Sequence, residues 1–306
     1  MNILFSSDDN YARHLGVAIY SLLTNNANVA DLRIFVVDNN ISAANINKLQ
    51  QITAAFDNVK LIFIPFKKWS DSLQLNMSWP ISLSSYARLF VGEMLPIDVD
   101  RILYLDCDIV IKGSLSSLWD IDLQGRCLGA IQDTIPSRTK ASVGLLPQQP
   151  YFNAGVLLID LRRWRIAGIG QKCLEFIDAH KGCVRHHDQG VLNGIFNGAW
   201  IRLPLRFNVM TVHYMISQTK IKKFYKDDAV FYDLAEIKSA ISNPVILHFT
   251  PSFTSRPWEK NCSHPLRHCY NYYLRLTPWK ETPLVSSQYP WYVGLINLRY
   301  RFFPVF

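Results

Sequence analysis

The chain has 306 residues, of which 49% are hydrophobic and 18% are charged. This composition excludes disorder on a large scale and predicts one large globular domain, or one domain with an appendage. The formal net charge of +8 favours an anionic partner, such as a nucleotide, a nucleic acid or an anionic membrane surface, and does not choose among the three.

Strand and helix patterns alternate through the first two-thirds of the chain. Short apolar runs predict strands at Asn2–Ser6, Leu32–Val37, Val59–Ile64, Ile102–Leu105, Leu128–Ile131 and Ala154–Ile159. Helical periodicity predicts helices at Tyr11–Leu23, Ile41–Phe56 and Leu161–His180, the second with Ser42 as its N-cap. This order predicts an α/β fold in which helices cover both faces of a mostly parallel central sheet.

Polar residues cluster where two of the predicted strands end. Asp8, Asp9 and Asn10 follow the first strand, and Asp106 and Asp108 follow the fourth. Ligands of parallel α/β sheets bind beyond the carboxyl ends of the strands. We therefore expect these two segments to meet at one site.

Asp106 and Asp108 point to a bound divalent cation. Two unpaired carboxylates at the end of a buried strand would cost several kcal/mol. Mn²⁺ or Mg²⁺ removes this cost, because both ions prefer carboxylate oxygens and keep positions for phosphate oxygens. Both side chains reach one ion if the strand persists, since residues i and i+2 share a face. Taken alone, the pattern also fits a strand-end turn with solvated aspartates.

The segment Asp8–Tyr11 offers hydrogen-bond acceptors, an amide and an aromatic ring, which suits the edge and face of a uracil. Asp9 or Asn10 fits a helix N-cap equally well. Further along, Gly155 in Asn153-Ala-Gly155 allows a ligand to approach the backbone closely.

Residues at three later positions of the chain would complete such a site. Asp188, next to Gln189 at a predicted helix start, suits either a sugar hydroxyl or an N-cap. His248, at a strand end, is either a structural residue or the third ligand of an Asp/Asp/His set suited to Mn²⁺. Arg256 could neutralise a diphosphate with two parallel hydrogen bonds.

The C-terminal part has a different composition, rich in Pro, Trp, Tyr and basic residues. We predict a main domain at residues 1–258 and a C-terminal basic and aromatic appendage at residues 259–306. Within the appendage, Trp291–Phe303 is apolar all round, which fits either a helix packed on the core or a helix at a membrane surface.

Three features predict a cytoplasmic protein. The six cysteines show no metal-ligand spacing, which is typical of reduced thiols. The N-terminus lacks the basic segment of a signal peptide and reaches a carboxylate at Asp8. No apolar run approaches the roughly 18–20 residues that span a bilayer.

In their order along the chain, these residues resemble glycosyltransferase family 8, the retaining, metal-dependent GT-A enzymes that include bacterial lipopolysaccharide galactosyl- and glucosyltransferases and glycogenin. The resemblance runs from Asn2 to about Trp258. It rests on Asp8-Asp9-Asn10-Tyr11, Ser85-Tyr86-Ala87-Arg88-Leu89, Leu103-Tyr-Leu-Asp106-Cys-Asp108, Leu118-Trp-Asp-Ile-Asp-Leu123, Tyr151-Phe-Asn153-Ala-Gly155-Val-Leu-Leu-Ile-Asp160, Asp188-Gln189 and His248-Phe249. It implies a GT-A fold with a Rossmann-like sheet and a small helical or irregular C-terminal appendage.

The resemblance also implies a role for each matching residue. The nucleotide-binding residues would be Asp8, Asn10, Tyr11, Asp106 and Arg256, and the metal ligands Asp106, Asp108 and His248. The donor-sugar residues would be Arg88, Asn153, Asp188 and Gln189, with Asp188 and Gln189 as the catalytic pair and His186 facing the acceptor. The cofactor would be Mn²⁺, with Mg²⁺ as the alternative.

Three positions depart from the family pattern His-x-x-Gly-x-x-Lys-Pro-Trp and from the acidic residue that commonly follows Asp-Gln. The stretch from His248 to Trp258 is two residues longer, with Pro251 in place of Gly and Arg256 in place of Lys. Gly190 stands in place of the acidic residue. The loss of the glycine at Pro251 removes a place where a phosphate could approach the backbone closely, so the pattern does not predict how this loop binds a diphosphate. Arg256 keeps the positive charge of the lysine.

The expected reaction moves galactose or glucose from UDP-galactose or UDP-glucose to a saccharide hydroxyl with retention, in lipopolysaccharide or another surface glycan. A lipid-linked acceptor would bring the protein to the inner face of the plasma membrane as a peripheral protein, and we expect no nucleic-acid partner. Two alternatives remain open. The first is a haloacid-dehalogenase-like phosphatase, because Asp106-Cys-Asp108-Ile-Val110 also fits the motif of that family, in which Asp106 would accept the phosphoryl group. The second is a non-catalytic sugar-binding module.

Overall fold

A seven-stranded sheet forms the centre of the computed structural model, and a three-stranded sheet lies beside it. The structure describes residues 1–71, 83–217, 220–221, 225–227, 229–251 and 253–286. The strands are β1 Asn2–Asp8, β2 Leu32–Asn39, β3 Val59–Pro65, β4 Arg101–Leu105, β5 Ile109–Ile111, β6 Leu128–Asp133, β7 Tyr151–Asp160, β8 Ile201–Arg202, β9 Val209–Met210 and β10 Ile246–His248.

The main sheet has the order β3-β2-β1-β4-β7-β6-β8, and the second sheet has the order β5-β10-β9. Strands β1 to β4 are mutually parallel wherever they pair, and β8 is parallel to β6. Strand β7 runs antiparallel to both of its neighbours, β4 and β6. The predicted α/β fold with a mostly parallel sheet is therefore confirmed, with β7 as the exception.

Helices cover both faces of the main sheet, and each face has its own core. Along β1, Ile3 and Phe5 belong to one core and Leu4 to the other, as the alternation of side chains along a strand requires. The α-helices are Ala12–Asn25, Ala43–Thr53, Lys67–Ser70, Val91–Met94, Ser116–Trp119, Ser137–Ala141, Leu161–Ile166, Ile169–Ala179, His187–Phe196, Thr211–Met215, Leu234–Ser242 and Arg267–Leu274. Short 3₁₀ helices occupy Asp9–Tyr11, Leu83–Phe90 and Leu205–Phe207.

Two helix predictions have different outcomes. Ser42 caps the helix Ala43–Thr53, because its hydroxyl accepts a hydrogen bond from the backbone N–H of Asn45 at 3.3 Å, as predicted. The single helix predicted at Leu161–His180 is wrong. Gly168 lies between two helices in the left-handed region, with φ of +60°, and so interrupts the α-helical hydrogen bonding.

The chain leaves the main sheet between Asp106 and Asp108. Strand β4 ends at Leu105, and β5 begins at Ile109 as part of the second sheet. The expectation that both carboxylates share one face of a persisting strand is therefore wrong. The two aspartates lie instead at the junction between the two sheets. The backbone N–H of Asp106 donates to the carbonyl of Gly155 in β7 at 2.8 Å.

The described part of the C-terminal segment packs on the main domain. In the helix Arg267–Leu274, the Tyr270 hydroxyl lies 2.6 Å from His14 Nδ1, and the Tyr273 hydroxyl accepts from Asn25 Nδ2 at 2.7 Å. The proposed boundary at residue 258 stays a prediction, and the predicted helix Trp291–Phe303 lies outside the described residues. Among the residues that are described, no helix combines the length and apolarity needed to cross a bilayer.

Candidate active site

A cavity of about 450 Å³ opens beyond the carboxyl ends of β1 and β4. This is the edge where parallel α/β sheets bind their ligands. Most of the lining residues have polar side chains, and six of them are residues predicted from the sequence. The lining residues are Ser6, Ser7, Asp8, Tyr11, Ser84, Ser85, Arg88, Tyr104, Asp106, Cys107, Asp108 and Arg256.

Asp106, Asp108 and His248 converge at one end of this cavity. One potential ligand atom from each residue lies within 4.8 Å of the others. His248 Nε2 is 3.1 Å from Asp108 Oδ1 and 3.7 Å from Asp106 Oδ2. The other ring nitrogen, Nδ1, lies 2.9 Å from Asn208 Oδ1, which orients the imidazole towards the carboxylates. Two carboxylates and an imidazole form a donor set that fits Mn²⁺.

The ionisable groups of this cluster shift one another's pKa values. Burial raises the pKa of Asp108, but His248 and Arg256 outweigh it and hold that pKa well below its usual range. Burial lowers the pKa of His248, but the carboxylates of Asp108 and Asp106 outweigh it and raise that pKa above its ordinary value. Asp106 and Asp108 are thus held by the cationic groups of Arg88, Arg256 and His248.

Gly155 makes the convergence possible. A Cβ at this position would lie 2.3 Å from His248 Cε1 and 2.7 Å from Asp106 Oδ2. Both distances are shorter than any normal contact, so a side chain here would push two of the three candidate ligands apart. The sequence predicted that a ligand approaches the backbone closely at Gly155. In the structure, the side chains of His248 and Asp106 are the groups that approach it.

Arg88 joins the cluster to the deeper part of the site. Its Nη2 lies 2.7 Å from Asp106 Oδ1, and its Nε lies 3.0 Å from Asp188 Oδ2. The guanidinium also donates to the carbonyl of Ala154 and stacks over the ring of Tyr104 at 4.3 Å. Burial lowers the pKa of Arg88, but the two carboxylates outweigh it and raise that pKa, so the side chain stays charged.

Asp188 is buried and faces Arg88 rather than a helix end. The helix His187–Phe196 has His186 as its N-cap, so the interpretation of Asp188 as an N-cap is wrong. Burial raises the pKa of Asp188 despite the neighbouring guanidinium.

Gln189 and Asn153 form a hydrogen-bonded network next to Asp188. Gln189 Oε1 accepts from the backbone N–H of Ala154 at 3.0 Å and from Asn153 Nδ2 at 3.3 Å. Gln189 Nε2 and Asn153 Nδ2 each donate to Asp133 Oδ2 at 3.4 Å. Asp133 was missed because the strand was predicted to end at Ile131, whereas β6 continues to Asp133 and its carboxylate therefore ends a strand.

Arg256 connects the opposite end of the cavity to Asp108. Its Nη1 donates to the Tyr11 hydroxyl at 2.8 Å, and its Nη2 lies 3.4 Å from Asp108 Oδ2. The guanidinium also lies over the ring of Trp258, 5.5 Å from its centroid. The arginine that replaces the family lysine therefore bridges the aromatic and the acidic parts of the site.

The helix that follows β1 has a different N-cap residue from the two that the sequence predicted. Asp8 caps the 3₁₀ helix Asp9–Tyr11 by accepting from the N–H of Tyr11 at 3.1 Å, so the cap is neither Asp9 nor Asn10. Asp9 instead accepts from the N–H of Ser42 at 2.8 Å. Asn10 is exposed and does not line the cavity, unlike Asp8 and Tyr11.

His186 lies outside the lining of the cavity, with its ring edge-on to Tyr151 at 6.0 Å between centroids. His186 and His187 both adopt the left-handed region, with φ of +60° and +53°. This turn brings the carbonyl of Arg185 so close that a Cβ at Gly190 would lie 2.0 Å from its oxygen. The glycine in place of the common acidic residue is therefore a steric requirement of this turn.

Comparison with known proteins identifies the family. The model of the family described as "Glycosyl transferase family 8" matches residues 2–262. The chain belongs to glycosyltransferase family 8. General stress protein A of Bacillus subtilis strain 168 is 29% identical over 283 residues, which cover 91% of this chain and 94% of that protein. The lipopolysaccharide 1,2-glucosyltransferase of Escherichia coli strain K12 is 28% identical over 287 residues, which cover 92% and 79%.

Among solved structures, the galactosyltransferase LgtC in complex with donor and acceptor sugar analogs has a TM-score of 0.73 and 28% identity. The match covers 96% of this chain and 100% of LgtC. The resemblance to family 8 and the GT-A fold are thereby confirmed. As a family 8 glycosyltransferase, the chain is an enzyme that uses a nucleotide-sugar donor and a saccharide acceptor.

Neither alternative function gains support from these comparisons. A phosphatase of the haloacid dehalogenase type also needs lysine and aspartate side chains from later in the chain, which residues 220–228 offer in the sequence. Asp227 is instead paired with the buried Lys140, and its other carboxylate oxygen accepts from the N–H of Ile135 at 3.1 Å. A divalent metal is expected for a GT-A enzyme, and the Asp106–Asp108–His248 cluster fits one.

Proposed function

We propose that this chain is a retaining hexosyltransferase that moves galactose or glucose from a UDP-sugar to a saccharide hydroxyl during surface-glycan synthesis. The observation that carries the proposal is the convergence of Asp106, Asp108 and His248 within 4.8 Å beside a cavity that also holds Arg256 and Arg88. The names of two relatives support the donor class, because one is a glucosyltransferase acting on lipopolysaccharide and one is a galactosyltransferase.

The uridine end of the donor would lie at Asp8, Asn10 and Tyr11. Arg256 supports this orientation, because its guanidinium reaches both the Tyr11 hydroxyl and the Asp108 carboxylate. A diphosphate placed between uracil and sugar would therefore face two donor groups of one arginine. Arg256 would then offset the negative charge that grows on the departing UDP.

Asp106, Asp108 and His248 would hold the cation, Mn²⁺ or alternatively Mg²⁺. Bound there, the ion would supply Lewis-acid stabilisation of the diphosphate leaving group. Asn208 would keep His248 Nε2 directed at the ion through its contact with Nδ1.

The hexose would lie against Arg88, Asn153, Asp188 and Gln189. Asp188 Oδ2 is 3.0 Å from the Arg88 guanidinium, and this pairing weakens a carboxylate as a nucleophile. We therefore favour attack by the acceptor on the same face from which UDP leaves, with Asp188 and Gln189 stabilising the positive charge at the anomeric centre. A covalent intermediate on Asp188 is the second route, and it would appear as a glycosylated peptide by mass spectrometry.

The test measures UDP release from UDP-galactose and UDP-glucose, with Mn²⁺ or with EDTA, in wild type and in Asp108→Asn. We expect metal-dependent turnover in wild type and at least about a 100-fold loss in the variant. Asp98→Ala is the matched control, because Asp98 is exposed and pairs only with Arg33 among the described residues. Equal turnover in Asp108→Asn, or no binding of UDP by wild type, would overturn the proposal.

The acceptor is proposed to be a lipid-linked saccharide near His186, reached by a cytoplasmic protein at the inner membrane surface. Exposed apolar side chains in the described C-terminal segment support a surface contact: Tyr272, Leu276, Leu284 and Val285. Co-sedimentation with vesicles that contain anionic lipid, compared with neutral vesicles, tests this placement. Absence of the protein from both pellets would contradict it.

A further inference from the structure

A second cavity, of about 360 Å³, lies on the other side of strand β6 from the active site. Gln132 and Asp133 are successive residues of β6, so their side chains point to opposite faces. Asp133 contacts Gln189 in the active site, whereas Gln132 lines the second cavity. Its volume falls within the range of ~300–1,000 Å³ that is typical of small-molecule sites.

Buried side chains form the floor of the second cavity. Gln132 is 1% exposed and Trp200 is 8% exposed. Trp200 is held by Phe152, edge to face at 5.2 Å. Its indole Nε1 is buried and has no hydrogen-bond partner among the described residues. Buried polar groups are normally satisfied, so an unpaired N–H on a residue that lines the cavity is unusual.

The rim carries one cation and further amide groups. Arg202 is exposed, stacks over the ring of Tyr232 at 5.1 Å, and donates from Nη1 to Gln132 Oε1 at 3.4 Å. Gln148 adds a second side-chain amide. None of the described lining residues is acidic, so the one formal charge in the lining is positive.

A buried ion pair fixes the two walls relative to each other. Lys140, which is fully buried, donates to the carbonyl of Pro147 at 2.9 Å, next to Gln148 on one wall. The same ammonium pairs with Asp227, which also accepts from the N–H of Ala229, next to Val230 on the other wall. The cavity is thus formed before any ligand enters, which lowers the entropic cost of binding.

We propose that this cavity is a second saccharide-binding site, which holds a sugar unit that bears an acidic group. The indole offers an apolar face, the exposed amide of Gln148 matches a hydroxyl group, and Arg202 matches a carboxylate or phosphate. Binding there requires neither UDP nor a metal, so it goes beyond the proposed transfer reaction and is independent of it.

The test follows the indole ¹⁵N–¹H resonance of Trp200 while sugars are added, with UDP and Mg²⁺ present to occupy the active site. Trp200→Phe assigns the resonance. The indole of Trp164 is the internal control, because it is also buried and lacks a hydrogen-bond partner among the described residues. The probes are glucose 6-phosphate, glucuronate, methyl α-glucoside and inorganic phosphate.

We expect glucose 6-phosphate or glucuronate to shift the Trp200 resonance saturably and to leave that of Trp164 unchanged. Arg202→Gln, a change at an exposed side chain, should weaken this binding about tenfold or more. Three outcomes would overturn the proposal: no shift with either acidic sugar, an equal affinity for methyl α-glucoside, or an equal affinity for inorganic phosphate.

Discussion

Replacing Gly155 by alanine tests the geometry of the active site directly. The added methyl would lie 2.3 Å from His248 Cε1 and 2.7 Å from Asp106 Oδ2. An ordinary carbon–carbon contact needs about 3.5 Å, so the imidazole must retreat by about 1 Å. Strand β7 cannot yield instead, because the Gly155 carbonyl accepts from the N–H of Asp106 at 2.8 Å and its N–H donates to Asn153 Oδ1 at 2.9 Å.

A displacement of about 1 Å in catalytic groups costs about 100-fold in rate. We therefore expect Gly155→Ala to lower the rate of UDP-sugar turnover by about 100-fold and the affinity for Mn²⁺ by at least about tenfold. Isothermal titration with Mn²⁺ and a coupled assay of UDP release measure the two effects. Circular dichroism melting reports whether the variant still folds.

Gly113→Ala is the matched control, because a Cβ there would meet only Val245, at 3.7 Å, which is an ordinary contact. This control should keep both Mn²⁺ affinity and turnover. Wild-type Mn²⁺ affinity in a folded Gly155→Ala variant would refute the steric argument. An equal loss in Gly113→Ala would show that the effect is not specific to the cluster.

Three further predictions concern stability. Gly190→Glu, which introduces an acidic residue of the kind expected from the family pattern, should lower the melting temperature sharply because its Cβ would lie 2.0 Å from the Arg185 carbonyl oxygen; an unchanged melting curve would exclude this clash. Lys140→Met should cost about 3–5 kcal/mol in urea unfolding by leaving the buried Asp227 carboxylate unpaired, and adding Asp227→Asn should recover part of it; additive losses would contradict the pairing. Burial lowers the pKa of His264 to about 3, below its unfolded value of 6.5, so its stabilising contribution is complete above pH 6.5 and declines as the pH falls towards 3. His264→Gln should therefore flatten the fall in unfolding free energy between pH 7 and 5, and an unchanged slope would assign that fall to other groups.

Strand ends explain both the successes and the misses at the site. Asp8, Asp106 and His248 follow or end apolar runs, so the sequence could mark them as candidates. Asp133 obeys the same rule but was missed, because β6 extends two residues beyond its apolar run. Local hydrophobicity does not reveal how far a strand continues once its residues turn polar, since the extension is decided by pairing with β7.

Arg88 shows a different limit. The sequence marked it only through the family resemblance, and its partners Asp106 and Asp188 come from two separate segments that both lie later in the chain. No periodicity within a segment encodes such a pairing. The left-handed turn at His186 is similar, because only packing against Gly190 makes it possible.

The sequence by itself determined the alternation of strands and helices in the first two-thirds of the chain, the family, and most of the groups at the centre of the site. These follow from hydrophobic periodicity and short motifs, which are properties of neighbouring residues. Only the tertiary structure decided that the chain leaves the main sheet between Asp106 and Asp108, and that His248, 140 residues from Asp108, meets it at 3.1 Å. Such contacts depend on how two sheets pack, and packing is a property of the whole chain.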